Sequence, residues 1–507
     1  MGRKIKSLTG WWIVSLVSLA CLAAGNDLRL VEAVKNRDAE AVRSLLKQHV
    51  DVNTPQADGT SALAWAAHWD DLETAELLIR AGANVNAATD YGVTALSLAC
   101  TNGNGAMVEK LVKAGANANA KLLRTGATVL MTCARTGSAE AVKSLLEHGA
   151  DANAKETWRG QTALMWAAEA DHVEASRALV EHGAAVSARS QSGFTPLMFA
   201  ARTGDVELAR VLLKAGANVN ESTPEDGSVL VVASASGQEK LAIFLLEQGA
   251  NPNAADGLGF TPLHYAVQKG ISNISAVEYV PSLQPPPNLP ELAKALLAHG
   301  ANPNARIAKD YPPHSRAPFR QSLPRSFIGA TPFWLAAAAG DVKLMRMLKE
   351  GGADPLLGTK DKTTPLMAAA GMNRVQDFLE GDETNALEAV KLAVELGGDV
   401  KASNSGGQTA LHAAAFTGAN PIVQFLVDHG AEVNAKDNAG QTPWSIAEAM
   451  TPVVNNQGSL RLHKNTSELL LKLGATTMTA KDLVPNRRGN RGAYAGNQTE
   501  TDKAEEQ

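Results

Sequence analysis

Apolar positions recur with a helical period in short paired bursts along most of the chain, and the stretch from Ser192 to Asn220, SGFTPLMFAARTGDVELARVLLKAGANVN, contains one complete pair. Leu197, Ala200 and Ala201 share one face of a predicted first helix, and Val206, Leu208, Val211, Leu212 and Leu213 keep helical spacing in a second. Thr195 is placed to cap the first helix through its hydroxyl, and Pro196 suits the first helical position, where no N–H is needed. Gly204 and Gly216 close the two helices, and GANVN leads out into a turn. Helices this short cannot bury their apolar faces on each other alone, so the pair is stable only if copies stack against it.

The copies are present. With Thr195 as register, equivalents stand at Ser61, Thr94, Thr128, Thr162, Ser228, Thr261, Thr331, Thr364, Thr409 and Thr442, spaced by 33 or 34 residues apart from two longer intervals of 70 and 45. The residues TPL at 195, TPLHYA at 261, TPF at 331, TPL at 364 and TALHAA at 409, with GANVN or GADAN endings, resemble the ankyrin repeat, whose period is about 33 residues. The resemblance runs from Asp27 to Thr476 and implies an all-α solenoid of about twelve helix-turn-helix repeats with hairpin-like fingers. It is read as one elongated domain over 26–476, roughly 100 to 120 Å long if neighbours stack at about 8 to 10 Å. The block GATPFWLAA with TTPLMAAAG further resembles secreted ankyrin proteins of environmental bacteria.

Departures from the period locate the special parts. The first repeat, Asp27 to about Thr54, lacks the Thr-Pro-Leu start and carries Lys35, Arg37, Arg43, Lys47 and Gln48, as suits a cap with one face in water. The two 34-residue spacings put their extra residue in the fingers, which then carry Arg124, and Trp158 with Arg159. Insertions are expected near 271–290, 305–326, 372–384 and 451–466, and residues 477–507 read as a disordered tail. The second insertion holds Arg306, Lys309, Arg316, Arg320 and Arg325 against the single acid Asp310.

Residues 1–25 stand apart from the repeats. Arg3, Lys4 and Lys6 precede an apolar stretch from Trp11 to Ala24, followed by small residues, which reads as a signal peptide cut near Ala24 or Asn26. Its loss moves the net charge from −5 to about −8, so nothing in the balance points to nucleic acid. Cys100 and Cys133 then remain. They are read as packing residues, one place out of register on helices whose axes lie about 8 to 10 Å apart, which is poor geometry for a bridge.

Candidate chemistry is nearly absent. No GxSxG, GxxxxGK, HExxH or CxxCH occurs in the chain. His148, His182, His299 and His429 recur before the glycine that closes a second helix, where the helix dipole favours them, and stacked copies are too far apart to share a metal. His264 and His412 follow Thr-Pro-Leu and Thr-Ala-Leu, where the resemblance implies an internal hydrogen-bonding role. Asp70 and Asp71 read as a helix connection. No metal and no cofactor is expected.

The resemblance implies binding of another protein on a concave surface of first helices and finger tips. Exposed aromatics and arginines are the residue types most often found as anchors, which selects His68, Trp69, Tyr91, Arg124, Trp158, Arg159, Arg202, Arg316 and Arg320, with Glu169, Gln268 and Phe416 beside them. Trp65, Trp166, Phe199 and Tyr265 share one first-helix position and read as packing. The expectation is a non-catalytic, monomeric scaffold of the periplasm or extracellular space whose partner has an acidic surface. The alternatives are a membrane-anchored envelope scaffold, and a hydrolase or small-ligand protein with its site in the inserted loops, where His314 and Asp310 are the candidate groups.

Overall fold

Each of the eleven serine and threonine positions in the register sits at a helix N-cap in extended backbone. Ser61 accepts the amide of Ala64 at 3.1 Å and Thr331 that of Trp334 at 3.2 Å, satisfying donors that a helix start otherwise leaves bare. Thr261 and Thr409 pair their hydroxyls with the rings of His264 and His412 instead, and Thr195 makes neither contact. Its hydroxyl is buried and makes no cap bond, so the repeat with the most regular sequence starts on its proline and its carbonyl, which accepts Met198 N–H at 3.0 Å.

The computed structural model describes residues 27–267, 288–309, 327–372, 374, 382–450 and 462–479. The expected leader, the tail beyond 479 and most of each expected insertion fall outside them. The chain divides into two units, Met1–Asn218 and Val219–Gln507.

The first unit holds six helix pairs: α1 (Arg29–Lys35) with α2 (Ala39–Lys47), α3 (Ala62–His68) with α4 (Leu72–Arg80), α5 (Ala95–Asn102) with α6 (Gly105–Lys113), α7 (Val129–Thr136) with α8 (Ala139–Glu147), α9 (Ala163–Glu169) with α10 (Val173–Glu181), and α11 (Pro196–Thr203) with α12 (Val206–Lys214). First helices pack on first helices of the next pair and second on second, so each burial depends on the neighbour. Leu78, Leu111, Leu145, Leu179 and Leu212 occupy one equivalent second-helix position and are all fully buried. Each such burial stabilises by roughly 1.5 to 3 kcal/mol before chain entropy is counted. Gly216 closes α12 at φ 95, where a Cβ would touch nothing; the left-handed backbone alone selects glycine there.

The second unit begins with a two-residue hairpin, β1 (Ser222–Thr223) against β2 (Gly227–Ser228). Its pairs are α13 (Val229–Ala235) with α14 (Glu239–Glu247), α15 (Pro262–Tyr265) with α16 (Pro290–Ala298), α17 (Pro332–Ala339) with α18 (Val342–Glu350), α19 (Pro365–Ala369) with α20 (Asp382–Glu395), α21 (Ala410–Phe416) with α22 (Asn420–Asp428), and α23 (Pro443–Ala447) with α24 (Lys464–Lys472). The fourteen-residue α20 starts inside the stretch read as an insertion at 372–384, and α24 starts three residues before the expected Ser467. The mostly helical repeat architecture is thus present in both units.

An asparagine ladder joins successive repeats on the finger side of the second helices. Asn119 donates its side-chain amide to the carbonyl of Gly149 at 2.8 Å and accepts the amide of Asp151 at 2.8 Å. Asn53, Asn86 and Asn153 make the same pair of bonds in the first unit, and Asn253, Asn304 and Asn434 in the second. The last residue of GANVN therefore satisfies an orphan carbonyl at the helix end of the following repeat.

The two cysteines depart from expectation. Cys100 and Cys133 are fully buried and joined by a disulfide between α5 and α7, with Cα atoms 4.5 Å apart. The axial spacing of neighbouring helices was the wrong measure. Alanines such as Ala99 and Ala134, both buried to completion, let the facing backbones approach much more closely than the axes do.

Candidate functional site

The fingers of the first unit are tied into a row by backbone hydrogen bonds from each tip to the one before it. Asp90 N–H donates to Asp58 O at 3.1 Å, Leu123 N–H to Tyr91 O at 3.2 Å, Thr157 N–H to Thr125 O at 3.0 Å, and Gln191 N–H to Arg159 O at 2.8 Å. Large side chains stand out from this row: Tyr91 is 72% exposed, Leu123 74% and Trp158 69%. The Arg159 guanidinium lies over the Trp158 ring, 4.2 Å from its centroid.

The enlarged finger around Trp158 has an internal organiser that the sequence reading passed over. Glu156 is only 4% exposed, and its carboxylate accepts the amides of Trp158 at 2.6 Å, Arg159 at 2.8 Å and Gln161 at 2.8 Å. In ordinary fingers a shorter side chain does this: Asp256 accepts the amides of Leu258 and Phe260, and Asp437 those of Ala439 and Gln441. The extra residue in the finger is matched by an extra methylene in the acid. That substitution was the available signal.

A second aromatic group lies on the first helices at the start of the unit. Trp65 and Trp69 stack with centroids 6.1 Å apart, His68 meets Trp69 edge-on at 4.6 Å, and Lys35 and Arg37 lie 5.5 and 5.8 Å from the Trp65 and Trp69 ring centres. Trp69 donates its indole N–H to the Lys35 carbonyl at 3.2 Å, which fixes the ring while leaving it 38% exposed. Trp65 donates to Gln56 Oε1 at 3.0 Å and is half-buried, with Trp166 equally half-buried beneath Arg135. Phe199 and Tyr265, at the same position, are buried, and Tyr265 donates its hydroxyl to Asp256 at 2.7 Å.

His68, Trp69, Tyr91, Arg124, Trp158, Arg159, Glu169 and Arg202 all fall on first helices or fingers of the first unit, exposed. Phe416, half-buried, belongs to the second unit. Gln268, Asp310, His314, Arg316, Arg320 and Arg325 lie outside the described residues, whereas Arg306 donates to the Gly358 carbonyl at 3.3 Å. Second helices of the first unit carry a different surface, with ion pairs Arg43–Glu73, Arg80–Glu76, Lys113–Glu109 and Lys110–Glu76, the last at 2.7 Å.

His264 and His412 are internal fasteners. His264 Nδ1 accepts from the Thr261 amide and hydroxyl, and Nε2 faces the Ala330 carbonyl of the next repeat at 3.3 Å; His412 repeats this with Thr409 and Gln441. Burial pushes the His264 pKa down to about 4 and lowers that of His412. His148, His182, His299 and His429 each contact the carbonyl four residues back at 2.8 Å. Asp71 caps α4 through Thr74 N–H, and Asp70 accepts from Asn102 at 3.0 Å. Among the described residues no cluster of three histidine, cysteine or acidic side chains could hold a metal, and no helix is long and apolar enough to cross a membrane.

The family described as Ankyrin repeats (3 copies) matches residues 30–122, 130–223, 333–437 and 382–478, while Ankyrin repeats (many copies) matches 230–280 and Ankyrin repeat 258–308. Among curated relatives, the chain is 28% identical over 231 residues to the mouse B-cell lymphoma 3 protein homolog, covering 38% of this chain and 48% of that protein. It is 28% identical over 128 residues to a Caenorhabditis elegans homolog of the transient receptor potential cation channel subfamily A member 1, covering 25% and 10%. It is 30% identical over 124 residues to the bovine ankyrin repeat and SOCS box protein 3, covering 24% and 21%. The chain thus spans at most about half the length of these relatives. Among solved structures, the human ASB11 ankyrin repeat domain matches with a TM-score of 0.40 at 29% identity, over 44% of this chain and 98% of that one. The repeat register, the caps, the fingers and the family-model matches over more than half of its length together place the chain in the ankyrin-repeat family.

Proposed function

We propose that this protein is an exported, non-catalytic scaffold that binds another protein through the first-helix and finger side of its first unit. The carrying observation is the exposure of Trp69, Tyr91 and Trp158 on that side, at 38, 72 and 69%, where neighbouring fingers are locked in a row. Rigid aromatic side chains offer large contact area at little entropic cost, and interfaces are enriched in them. Binding is also the reading that the family favours.

Export is supported by the buried Cys100–Cys133 disulfide, since such bridges persist in oxidising compartments and are rare in a reducing cytosol. It agrees with the leader read in residues 1–25. Sequencing the N-terminus of protein from its native host tests this: a start near Ala24 or Asn26 is expected. An intact Met1 in the soluble cytosolic fraction would sink export, and an intact Met1 in the membrane fraction would mean that the leader is kept as an anchor.

Binding is tested by affinity capture with the parent and with a Trp69→Ala, Tyr91→Ala, Trp158→Ala variant. A protein recovered by the parent and lost with the variant, at matched melting temperature, is the expected result. Equal recovery by both would move recognition off this side.

A further inference from the structure

The finger row of the first unit carries an uneven distribution of charge. Lys121, Arg124, Lys155 and Arg159 are exposed on two adjacent fingers, and Arg135 is exposed on α7 between them. Among the described residues no carboxylate lies within ion-pair distance of these five, in contrast to the paired cations of the second helices. Over the tip segments 121–128 and 155–162 the one acid is Glu156, and it is withdrawn, buried with both oxygens committed to the amides of its own finger, while the exposed Asp151 lies at the base of the same loop and accepts the amide of Asn153. The larger finger is therefore built by consuming its negative charge internally, and its outer surface is left cationic.

Apolar side chains are interleaved with these cations. Leu123 sits beside Arg124 and Trp158 beside Arg159, both with more than two thirds of their surface exposed. Exposed acids bound the strip, with Asp58 and Asp90 on the two preceding fingers and Glu169 on α9. A flat anionic membrane or a nucleic-acid duplex laid across the row would meet those acids as well as the cations. A narrow chain following the tips would not.

We propose that this strip docks an extended acidic segment of a partner protein, with carboxylates toward Lys121, Arg124, Lys155 and Arg159 and an apolar side chain between Leu123 and Trp158. The proposal rests on the protein-binding reading and names its chemistry. Charge complementarity of this kind sets orientation and encounter rate, while the desolvated apolar contact sets lifetime.

The test uses the full chain and a fluorescein-labelled synthetic peptide of sixteen residues in which glutamates alternate with glycine around a central tryptophan and leucine. Its lysine counterpart, phosphatidylglycerol vesicles and a duplex oligonucleotide serve as competing probes. Anisotropy should show binding of the acidic peptide, weakening as salt screens the charges, and about tenfold weaker binding for Arg124→Glu with Arg159→Glu. Lys143→Glu, on the second helix α8, should bind like the parent, and unchanged thermal melts should show that all variants are folded. Equal affinity of the charge-reversed variant, or binding of vesicles or duplex without the acidic peptide, overturns the proposal. If the peptide fails yet the aromatic variant still loses a captured protein, the acidic partner is wrong and the protein-binding reading stands.

Discussion

Asn253 donates its side-chain amide to the carbonyl of Gly300 at 2.9 Å, 47 residues along the chain, in the same way that Asn119 reaches Gly149 across 30. The partner bond is also kept, with Asn302 N–H donating to Asn253 at 2.6 Å. The stack therefore closes over the long interval between Thr261 and Thr331 as though the additional residues were absent, and the ladder marks which residues belong to the repeat.

Replacing that asparagine removes both bonds. Asn253→Ala is expected to destabilise the second unit by about 1 to 2 kcal/mol, because each hydrogen bond contributes on the order of 1 kcal/mol net. Urea unfolding measures it. A value indistinguishable from zero would mean that water replaces both contacts at no cost.

The repeat register was legible because threonine, proline and leucine recur in phase, and the structure puts a helix N-cap at all eleven positions. What escaped notice acts across repeats. The ladder asparagine was visible as the end of GANVN, but its partner is a carbonyl 29 to 48 residues away, which no local pattern reveals. Cys100 and Cys133 failed for the same reason, since their separation depends on how closely alanine-lined backbones approach. Exposure of Tyr91 and Trp158 was anticipated from their place in the fingers, whereas Leu123, equally exposed beside Arg124, was not singled out.

Glu156 gives a local test of the enlarged finger. Glu156→Ala leaves three amides without their acceptor and is expected to cost about 1 to 3 kcal/mol. Hydrogen exchange at Trp158, Arg159 and Gln161 should quicken more than at the neighbouring finger of Gln191 to Gly193. Unchanged exchange at these three amides would show that the finger is held by its backbone ladder instead.

The disulfide closes a loop with a sequence separation of 33, for which chain-entropy arguments give a stabilisation of about 3 to 4 kcal/mol. Cys100→Ala with Cys133→Ala should lower the melting temperature, and thiol labelling of the unfolded parent should find these two cysteines only after reduction. Labelling without reductant would show that the pair is not joined in the native protein.

His264 should make stability depend on pH. Its folded pKa of about 4 lies below the unfolded value near 6.5, so between the two the unfolded chain binds more protons. The contribution is present in full above pH 6.5 and is lost as pH falls toward 4, on the order of 3 kcal/mol over the whole window. Denaturant melts at pH 7 and pH 5 should show the parent losing more stability than His264→Gln. Parallel losses would mean that other groups govern the acid limb.

The covalent link between α5 and α7 also governs what a protease can achieve. The fingers between the two cysteines display Lys121 and Arg124, both exposed and both open to trypsin-like cleavage. A cut at either leaves the two pieces tethered through Cys100 and Cys133, with the stacked helices on each side still supporting one another. Such a nicked molecule runs as a single chain until a reductant is added. In a compartment with active proteases and no reductant, the finger can be severed without the first unit coming apart into separate polypeptides.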